Sequence, residues 1–194
     1  MKKAKKKKTC LTIEIAAPNW KSLTGLRPRL KKAAALVLAE LPKTLQPAAS
    51  RAAFTLLLTT NAAVRRLNHD FRGLNKPTNV LSFPHFTRAQ LVRAGKGKEI
   101  LNRKETLYIG DIAAAYQYTV DEARKEHKSV AHHLTHLLIH GLLHLFGYDH
   151  HTDAAAARME RLEKKLMAEL GLPDPYAPIP SKAPPARRTK RKPA

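Results

Sequence analysis

The fold is decided by the stretch LTHLLIHGLLHLFGYDH, residues 134–150. Its leucines, isoleucine and phenylalanine fall at positions all around an α-helix, so that no side of the helix is wholly polar. A helix of this kind buries every face and lies in the centre of a protein. Ser129 is a suitable N-cap, and we expect a central helix from there to about Phe146.

Three histidines interrupt this apolar stretch at a spacing that indicates a metal site. His140 and His144 are four residues apart and share one face of a helix, and His150 follows six residues later. Gly147 lies between them, and a left-handed glycine lets a chain leave a helix and turn back. Three neutral imidazoles suit zinc and leave a fourth position open, as in catalytic zinc sites. The ion would then make hydroxide available near neutral pH.

Two other interpretations of these histidines compete with this one. In the first, His140 and His144 are hydrogen-bonded core residues and His150 lies on the surface, but the grouping of three around a glycine favours a metal. In the second, the ligands are His136, His140 and His144, but His136 and His144 are about 12 Å apart along the helix axis, too far for one ion. We therefore expect His136 to pack in the helix or to support a ligand from behind. Solvent-exposed positions are expected for His132, His133 and His151.

The rest of the chain alternates between strand-like and helix-like segments. Strands are predicted over residues 11–15, 53–60, 79–83 and 107–113, with Gly110 marking a bulge or a close approach of another segment. Helices are predicted over residues 26–41, after a cap at Asn61, and between a cap at Thr152 or Asp153 and Gly171. Thr119 and Glu122 form a capping box that predicts a helix start. The polar stretch 85–105 is expected to be a surface loop.

The composition indicates a class of binding partner and a division of the chain into three parts. The 194 residues include one cysteine, which allows no internal disulfide and suits a reducing cytosol. The net charge of +21 predicts attraction to a polyanion, nucleic acid first of all. Six lysines lie in residues 2–8 and six cations in residues 177–194. We expect a basic disordered arm (1–10), a folded domain (11–176) and a basic, proline-rich disordered tail (177–194). With no export signal or membrane-spanning stretch recognisable, we expect a soluble cytoplasmic protein.

The histidine spacing also occurs in metallopeptidases. Their motif HExxHxxGxxH has a glutamate directly after the first histidine, which acts as the general base. Gly141 occupies that position here. Peptide hydrolysis by that route would need a substitute carboxylate, and the sequence shows none.

Three segments together resemble one known family. HGLLHLFGYDH (residues 140–150) resembles the signature of the YbeY family of bacterial rRNA maturation factors. RGLNKPTNVLSFP (residues 72–84) and YIGDI (residues 108–112) resemble two further segments of that family. The resemblance extends over roughly residues 11–176. It implies a single-domain α+β fold similar to the zincin catalytic core, with a small mixed β-sheet packed around a central metal-binding helix, and one zinc ion held by His140, His144 and His150.

The resemblance also implies a metal-dependent endoribonuclease directed at single-stranded RNA. Such an enzyme matures the 3′ end of the small-subunit rRNA and takes part in ribosome quality control. His140 would belong to its catalytic centre, and Arg72 matches the family's functional arginine, whose permanently charged guanidinium can fork onto phosphate oxygens. Asp149 is expected to orient a ligand histidine or cap the next helix, and Asp111 to serve structure, although either could be a base. Water and the RNA 2′-hydroxyl group both remain open as the attacking group.

The implied partners are single-stranded rRNA, the small ribosomal subunit, a small-subunit ribosomal protein and a ribosome-associated GTPase. The alternative function is a non-catalytic ribosome assembly factor that binds rRNA and carries a structural zinc. The open fourth metal position and Arg72 favour catalysis, whereas the basic ends agree with either function.

We predict that removing residues 1–8 and 180–194 weakens RNA binding mostly at low salt. Each phosphate contact that is lost should reduce the slope of log affinity against log salt concentration by about 1. RNA-binding isotherms at several salt concentrations measure this slope. An unchanged slope would show that the ends do not contact the RNA.

Overall fold

The computed structural model describes residues 10–95 and 106–178. Its strands are β1 (Cys10–Ile15), β2 (Ala52–Thr59), β3 (Val80–Pro84) and β4 (Leu107–Ala115). Its helices are α1 (Leu26–Glu40), α2 (Gln46–Ala49), α3 (Asn61–Arg72), α4 (Arg88–Gly95), α5 (Tyr116–Lys125), α6 (Val130–Leu145) and α7 (Asp153–Glu169). A short 3-10 helix spans Pro18–Ser22.

The four strands form one mixed sheet in the order β1-β2-β4-β3. β1, β2 and β4 run parallel, and β3 pairs antiparallel with β4 at the edge. Parallel neighbours need a crossover connection, which α1 and α2 provide between β1 and β2. The small mixed sheet and its helices confirm the expected α+β class.

α6 is the central helix that the sequence predicts, and it packs on one face of the sheet against β3 and β4. All of its leucines and Ile139 are buried. Gly141 lies directly on the sheet, because a Cβ there would be 3.0 Å from both the Ile112 Cγ2 and the Ser82 Oγ atoms. The absence of a side chain at this position therefore lets α6 approach the sheet closely.

α3 covers part of the opposite face of the sheet. Its Val64 is buried in a small cluster with Leu81 of β3 and with Ala113 and Ala115 of β4. Side chains alternate along a strand, so β4 presents Ile112 to α6 and Ala113 to α3. Different helices therefore cover the two faces of the sheet, and α6 lies on only one of them.

The expected loop over residues 85–105 is partly wrong, because Arg88–Gly95 forms α4. Leu91 of this helix is fully buried in the main hydrophobic core. Packing of Leu91, and of the partly buried Val92 beside it, against the core stabilises this short helix. Residues 96–105 lie outside the described part of the chain.

Two predicted helix starts are also wrong. α5 begins at Tyr116, and Thr119 is buried inside it with its hydroxyl donating to the Ala115 carbonyl oxygen at 2.7 Å. The side chain of Thr119 is therefore used within the helix and does not cap it. α3 is capped by Thr60, whose hydroxyl accepts a hydrogen bond from the Ala63 amide at 3.2 Å. Asn61 accepts a hydrogen bond from the Tyr118 amide instead.

The caps predicted for the last two helices are confirmed. Ser129 caps α6, Thr152 caps α7, and Gly171 follows α7 with a left-handed φ of 70°. β1 begins at Cys10, the last residue of the expected arm; residues 1–9 and 179–194 lie outside the described residues. Within the described ranges, no helix has the length and apolar character needed to span a membrane.

The predicted bulge in β4 is confirmed at Gly110. Ala53 of β2 pairs with Tyr108 and Phe54 pairs with Gly110, so Ile109 is an extra residue. Gly110 has a φ of 135°, and a Cβ there would lie 2.1 Å from the Phe83 carbonyl oxygen. Close approach of β3 to the bulge therefore requires glycine.

We predict that Gly110→Ala destabilises the protein by about 3 kcal/mol or more, because β3 and β4 must separate to admit the methyl group. Gly25→Ala is the matched control, since Gly25 also has a positive φ (66°) but a Cβ added there would meet no atom within 4 Å. Gly25→Ala should lower the free energy of unfolding by about 1 kcal/mol. Denaturant unfolding measures both variants, and equal losses would contradict the steric explanation.

Candidate metal centre

The three histidines of the predicted site lie together at the C-terminal end of α6. His140 and His144 are on successive turns of the helix, with ring centroids 4.6 Å apart. Gly147 has a left-handed φ of 73°, which redirects the chain so that the His150 ring lies 5.0 Å from His144 and 5.8 Å from His140. One nitrogen from each ring lies within 4.8 Å of the other two. The predicted ligand set and the role of Gly147 in bringing it together agree with this geometry.

Hydrogen bonds fix the orientation of two of the rings. The Nδ1 atom of His140 is 2.8 Å from Oε1 of Glu163, and Nδ1 of His144 is 2.8 Å from the Tyr148 carbonyl oxygen. Each Nδ1 faces an acceptor and therefore carries the ring proton. The Nε2 atom of each neutral ring then has a free lone pair, which is the form that binds a metal.

The two Nε2 atoms lie only 3.0 Å apart. In the form with both ring protons on Nδ1, the two Nε2 lone pairs face each other, and a cation between them would stabilise this arrangement. Two nitrogens bound tetrahedrally to one zinc ion at about 2.1 Å are about 3.4 Å apart, close to the observed distance. Burial, together with the neighbouring His140, lowers the pKa of His144 to about 4, which keeps this imidazole neutral. The donor set therefore fits a divalent metal that prefers nitrogen ligands.

Glu163 of α7 is a member of the site that the sequence interpretation missed. Its side chain is 0% exposed, and it accepts hydrogen bonds from His140 and from Nε2 of His136 at 3.1 Å. Burial alone would raise the pKa of Glu163, but the hydrogen bonds from His136 and His140 outweigh it and lower the pKa to about 2. Tyr176 also donates its hydroxyl hydrogen to this carboxylate. A signal was present in the sequence, because Glu163 lies at helical spacing between the buried Met159 and Leu166.

The other histidines of α6 are His132, which is half-buried, His133 and His136. His136 supports a ligand from behind through Glu163, one of the two positions expected for it. His133 was expected to be exposed, and this is wrong: it is only 4% exposed and its Nε2 atom is 2.9 Å from Oε2 of Glu122. The two rings line a groove of about 220 Å³ that reaches His140, together with Asn79, Glu122 and Tyr176.

Arg72 is exposed at the end of α3. It has no hydrogen bond or ion pair with another residue in the described part of the chain, so its guanidinium is available to a ligand. The loop that follows leads to Asn79, which lines the same groove as His140. Arg72 ends α3, which covers the sheet face opposite α6, so its approach to the histidine site stays a prediction.

Among the described residues, neither predicted aspartate forms a hydrogen bond with His140, His144 or His150. The Oδ1 atom of Asp149 accepts a hydrogen bond from the His151 amide, whereas Glu163 and the Tyr148 carbonyl oxygen orient the ligand rings and Thr152 caps α7. Asp111 pairs with Thr55 and Phe83 in the sheet, on the face away from α6. It accepts a hydrogen bond from the Tyr108 hydroxyl at 2.5 Å.

Comparison with known proteins identifies relatives of this chain. A family model described as endoribonuclease YbeY matches residues 19–171. The endoribonuclease YbeY of Nitrobacter hamburgensis is 49% identical over 127 residues, which are 66% of this chain and 63% of that protein. Its counterpart in Nitrobacter winogradskyi is 42% identical over 166 residues, 86% of this chain and 81% of that protein. A solution structure of a Thermotoga maritima protein matches 87% of this chain and 99% of its own, at 19% identity and a TM-score of 0.46.

We predict that His144→Ala weakens metal binding by more than the roughly 100-fold that loss of an outer hydrogen bond costs, because it removes a ligand. His151→Ala is the matched control, since His151 is exposed and adjacent to His150 but has no place in the ligand set. Competition with a chromogenic chelator measures the zinc affinity of both variants. Binding by His144→Ala as tight as that of the unaltered protein would contradict the proposed site.

Proposed function

The chain belongs to the YbeY endoribonuclease family, and from this premise we propose that it is a zinc-dependent endoribonuclease that cleaves single-stranded rRNA. Its substrate would be the 3′ end of the small-subunit rRNA, within rRNA maturation and ribosome quality control. The observation that carries the proposal is the convergence of one ring nitrogen from each of His140, His144 and His150 within 4.8 Å. This is the donor set of a metal site with an open position for a substrate.

The proposed roles rest on the histidine geometry for the metal ligands and on the family resemblance for Arg72. His140, His144 and His150 would hold the ion, and His140 also borders the groove in which a substrate can lie. A zinc ion held in this way supplies Lewis acidity toward a phosphate oxygen and activates water near neutral pH. Arg72 would bind the scissile phosphate and stabilise the additional negative charge of the pentacovalent state.

Peptide hydrolysis of the HExxH type is disfavoured by packing as well as by sequence. A glutamate in place of Gly141 would need space that Ile112 and Ser82 occupy, at 3.0 Å from the Cβ position. The only carboxylate bonded to a ligand histidine among the described residues is that of Glu163, which is fully buried and already accepts three hydrogen bonds. It is therefore a structural anion and not a free general base.

The proposed partners follow from the family and the charge. A net charge of +21 suits binding to rRNA, and residues 2–8 and 177–194 contribute six cations each to it. We place the protein in the cytoplasm on the small ribosomal subunit, with a small-subunit ribosomal protein and a ribosome-associated GTPase as partners. Few aromatic residues are present (6%), so RNA shape and partner proteins, more than base stacking, would provide specificity.

The proposal is tested by cleavage of a single-stranded rRNA 3′-end fragment with chelated and zinc-restored protein. We expect chelation to abolish cleavage, zinc to restore it, and His144→Ala, prepared in the same way, to be inactive. RNA binding without cleavage in every preparation would instead indicate an assembly factor with a structural zinc. Cleavage that persists in His144→Ala would indicate a contaminating nuclease or a different active site.

We predict that Arg72→Ala lowers the cleavage rate by about 10²-fold, the usual effect of removing one transition-state donor. Zinc content should not change, because Arg72 does not contact the histidines. Arg66→Ala is the matched control: it removes an exposed arginine from another face of the same helix and should change the rate by less than about twofold. Equal rates for Arg72→Ala and the unaltered protein would remove Arg72 from the active site.

A further inference from the structure

We propose that Tyr176 and Glu163 are positioning residues of the metal centre, and that the segment 172–178 after α7 is thereby coupled to metal binding. The inference rests on the histidine site of the proposed function, but it does not depend on the reaction that the site catalyses.

Packing alone does not explain why a glutamate occupies the buried position 163 of α7. It lies in the buried stripe of α7 between Met159 and Leu166, where an apolar side chain would avoid the cost of burying a carboxylate. A buried carboxylate is retained where its hydrogen bonds serve a purpose, and here Oε1 accepts the Nδ1 hydrogen of His140 at 2.8 Å. That bond directs the Nε2 lone pair of His140 toward His144, the arrangement typical of carboxylate–histidine–metal sites.

Tyr176 fixes the other oxygen of Glu163. Its hydroxyl group and Nε2 of His136 both donate to Oε2, which leaves Oε1 for His140. The Tyr176 ring also packs edge-on against the His136 ring, with centroids 5.5 Å apart. The carboxylate is therefore held from two sides and cannot rotate away from His140 without breaking both bonds.

The segment that carries Tyr176 is attached to the domain at several points. Asp174 accepts a hydrogen bond from the Tyr176 amide at 2.8 Å and lies 3.6 Å from the ammonium group of Lys164 on α7. Lys128, between α5 and α6, donates to the Pro175 carbonyl oxygen at 2.6 Å. These bonds hold the segment between α7 and the start of α6. Tyr176, which belongs to neither helix, therefore lies beside Glu163.

A thermodynamic consequence follows from the shared carboxylate. Metal binding requires His140 in one orientation, and docking of Tyr176 favours the Glu163 position that provides this orientation. Coupling of two such events is reciprocal: if docking strengthens metal binding, metal binding must strengthen docking by the same factor. The segment after α7 is then a part of the metal centre although it contributes no ligand.

The test measures zinc affinity, by competition with a chromogenic chelator, for the full chain and three variants. Glu163→Gln should lower the affinity by about 10- to 100-fold, the usual cost of losing the anion behind a ligand histidine. Tyr176→Phe should lower it by a smaller factor, about 3- to 10-fold, because the carboxylate remains but is less restrained. Tyr108→Phe is the matched control: Tyr108 is as exposed as Tyr176 (39%) and also donates to a carboxylate, but on the other face of the sheet.

Two further measurements separate positioning from a general loss of stability. The ligand-field spectrum of the cobalt-substituted protein should change in Glu163→Gln and not in Tyr108→Phe. Metal loading should slow hydrogen exchange of the Tyr176 and Ala177 amides in the unaltered protein, and less so in Tyr176→Phe.

The outcomes distinguish this inference from the proposed function. Zinc affinities of Glu163→Gln and Tyr176→Phe equal to that of the unaltered protein would overturn the inference and leave the histidine site intact. If Glu163→Gln does not fold, Tyr176→Phe decides the question alone. Failure of the unaltered protein to bind zinc would overturn both, and failure to cleave RNA while the affinities change as expected would overturn only the proposed function.

Discussion

The close approach of two imidazole nitrogens, Nε2 of His140 and Nε2 of His144, is the constraint on which the rest of the site depends. They are 3.0 Å apart because each ring is held from behind, His140 by Glu163 and His144 by the Tyr148 carbonyl oxygen. Such precision requires a helix that cannot shift, and α6 is fixed by burial on nearly all sides. A cation between the two nitrogens would stabilise this arrangement, and the triad could therefore hold a metal ion.

The surroundings of α6 explain how an apolar core can contain the histidines and the buried Glu163. Gly141 lets the helix lie close to β3 and β4, while the histidines on its flank face α7 and the groove beside Asn79. The buried anion Glu163 balances the positive charge that a bound ion would bring, and the hydrogen bonds of His136 and Tyr176 compensate for its desolvation. The network is incomplete at one atom, because the buried Nδ1 of His136 has no hydrogen-bond partner.

The grouping of the three candidate ligands could be predicted from the sequence, whereas the supports from other elements could not be placed against them. His140, His144 and His150 lie within eleven residues, so helical geometry and one glycine suffice to bring them together. Glu163 and Tyr176 come from other elements, and their positions depend on how α7 and the following segment pack on α6. The sequence pattern did not indicate α4 because one buried leucine, Leu91, stabilises it, and Thr119 was wrongly expected to cap a helix because its hydroxyl bonds to the helix backbone instead.

The central claim is that one metal ion, held by the three histidines, carries out RNA cleavage. It is tested most directly by stripping the protein of metal, reloading it stepwise with zinc, and measuring the cleavage rate of a single-stranded rRNA fragment at each occupancy. The account predicts a rate that rises in proportion to occupancy and levels off at one ion per chain. A rate independent of occupancy, or no cleavage at full occupancy, would contradict it.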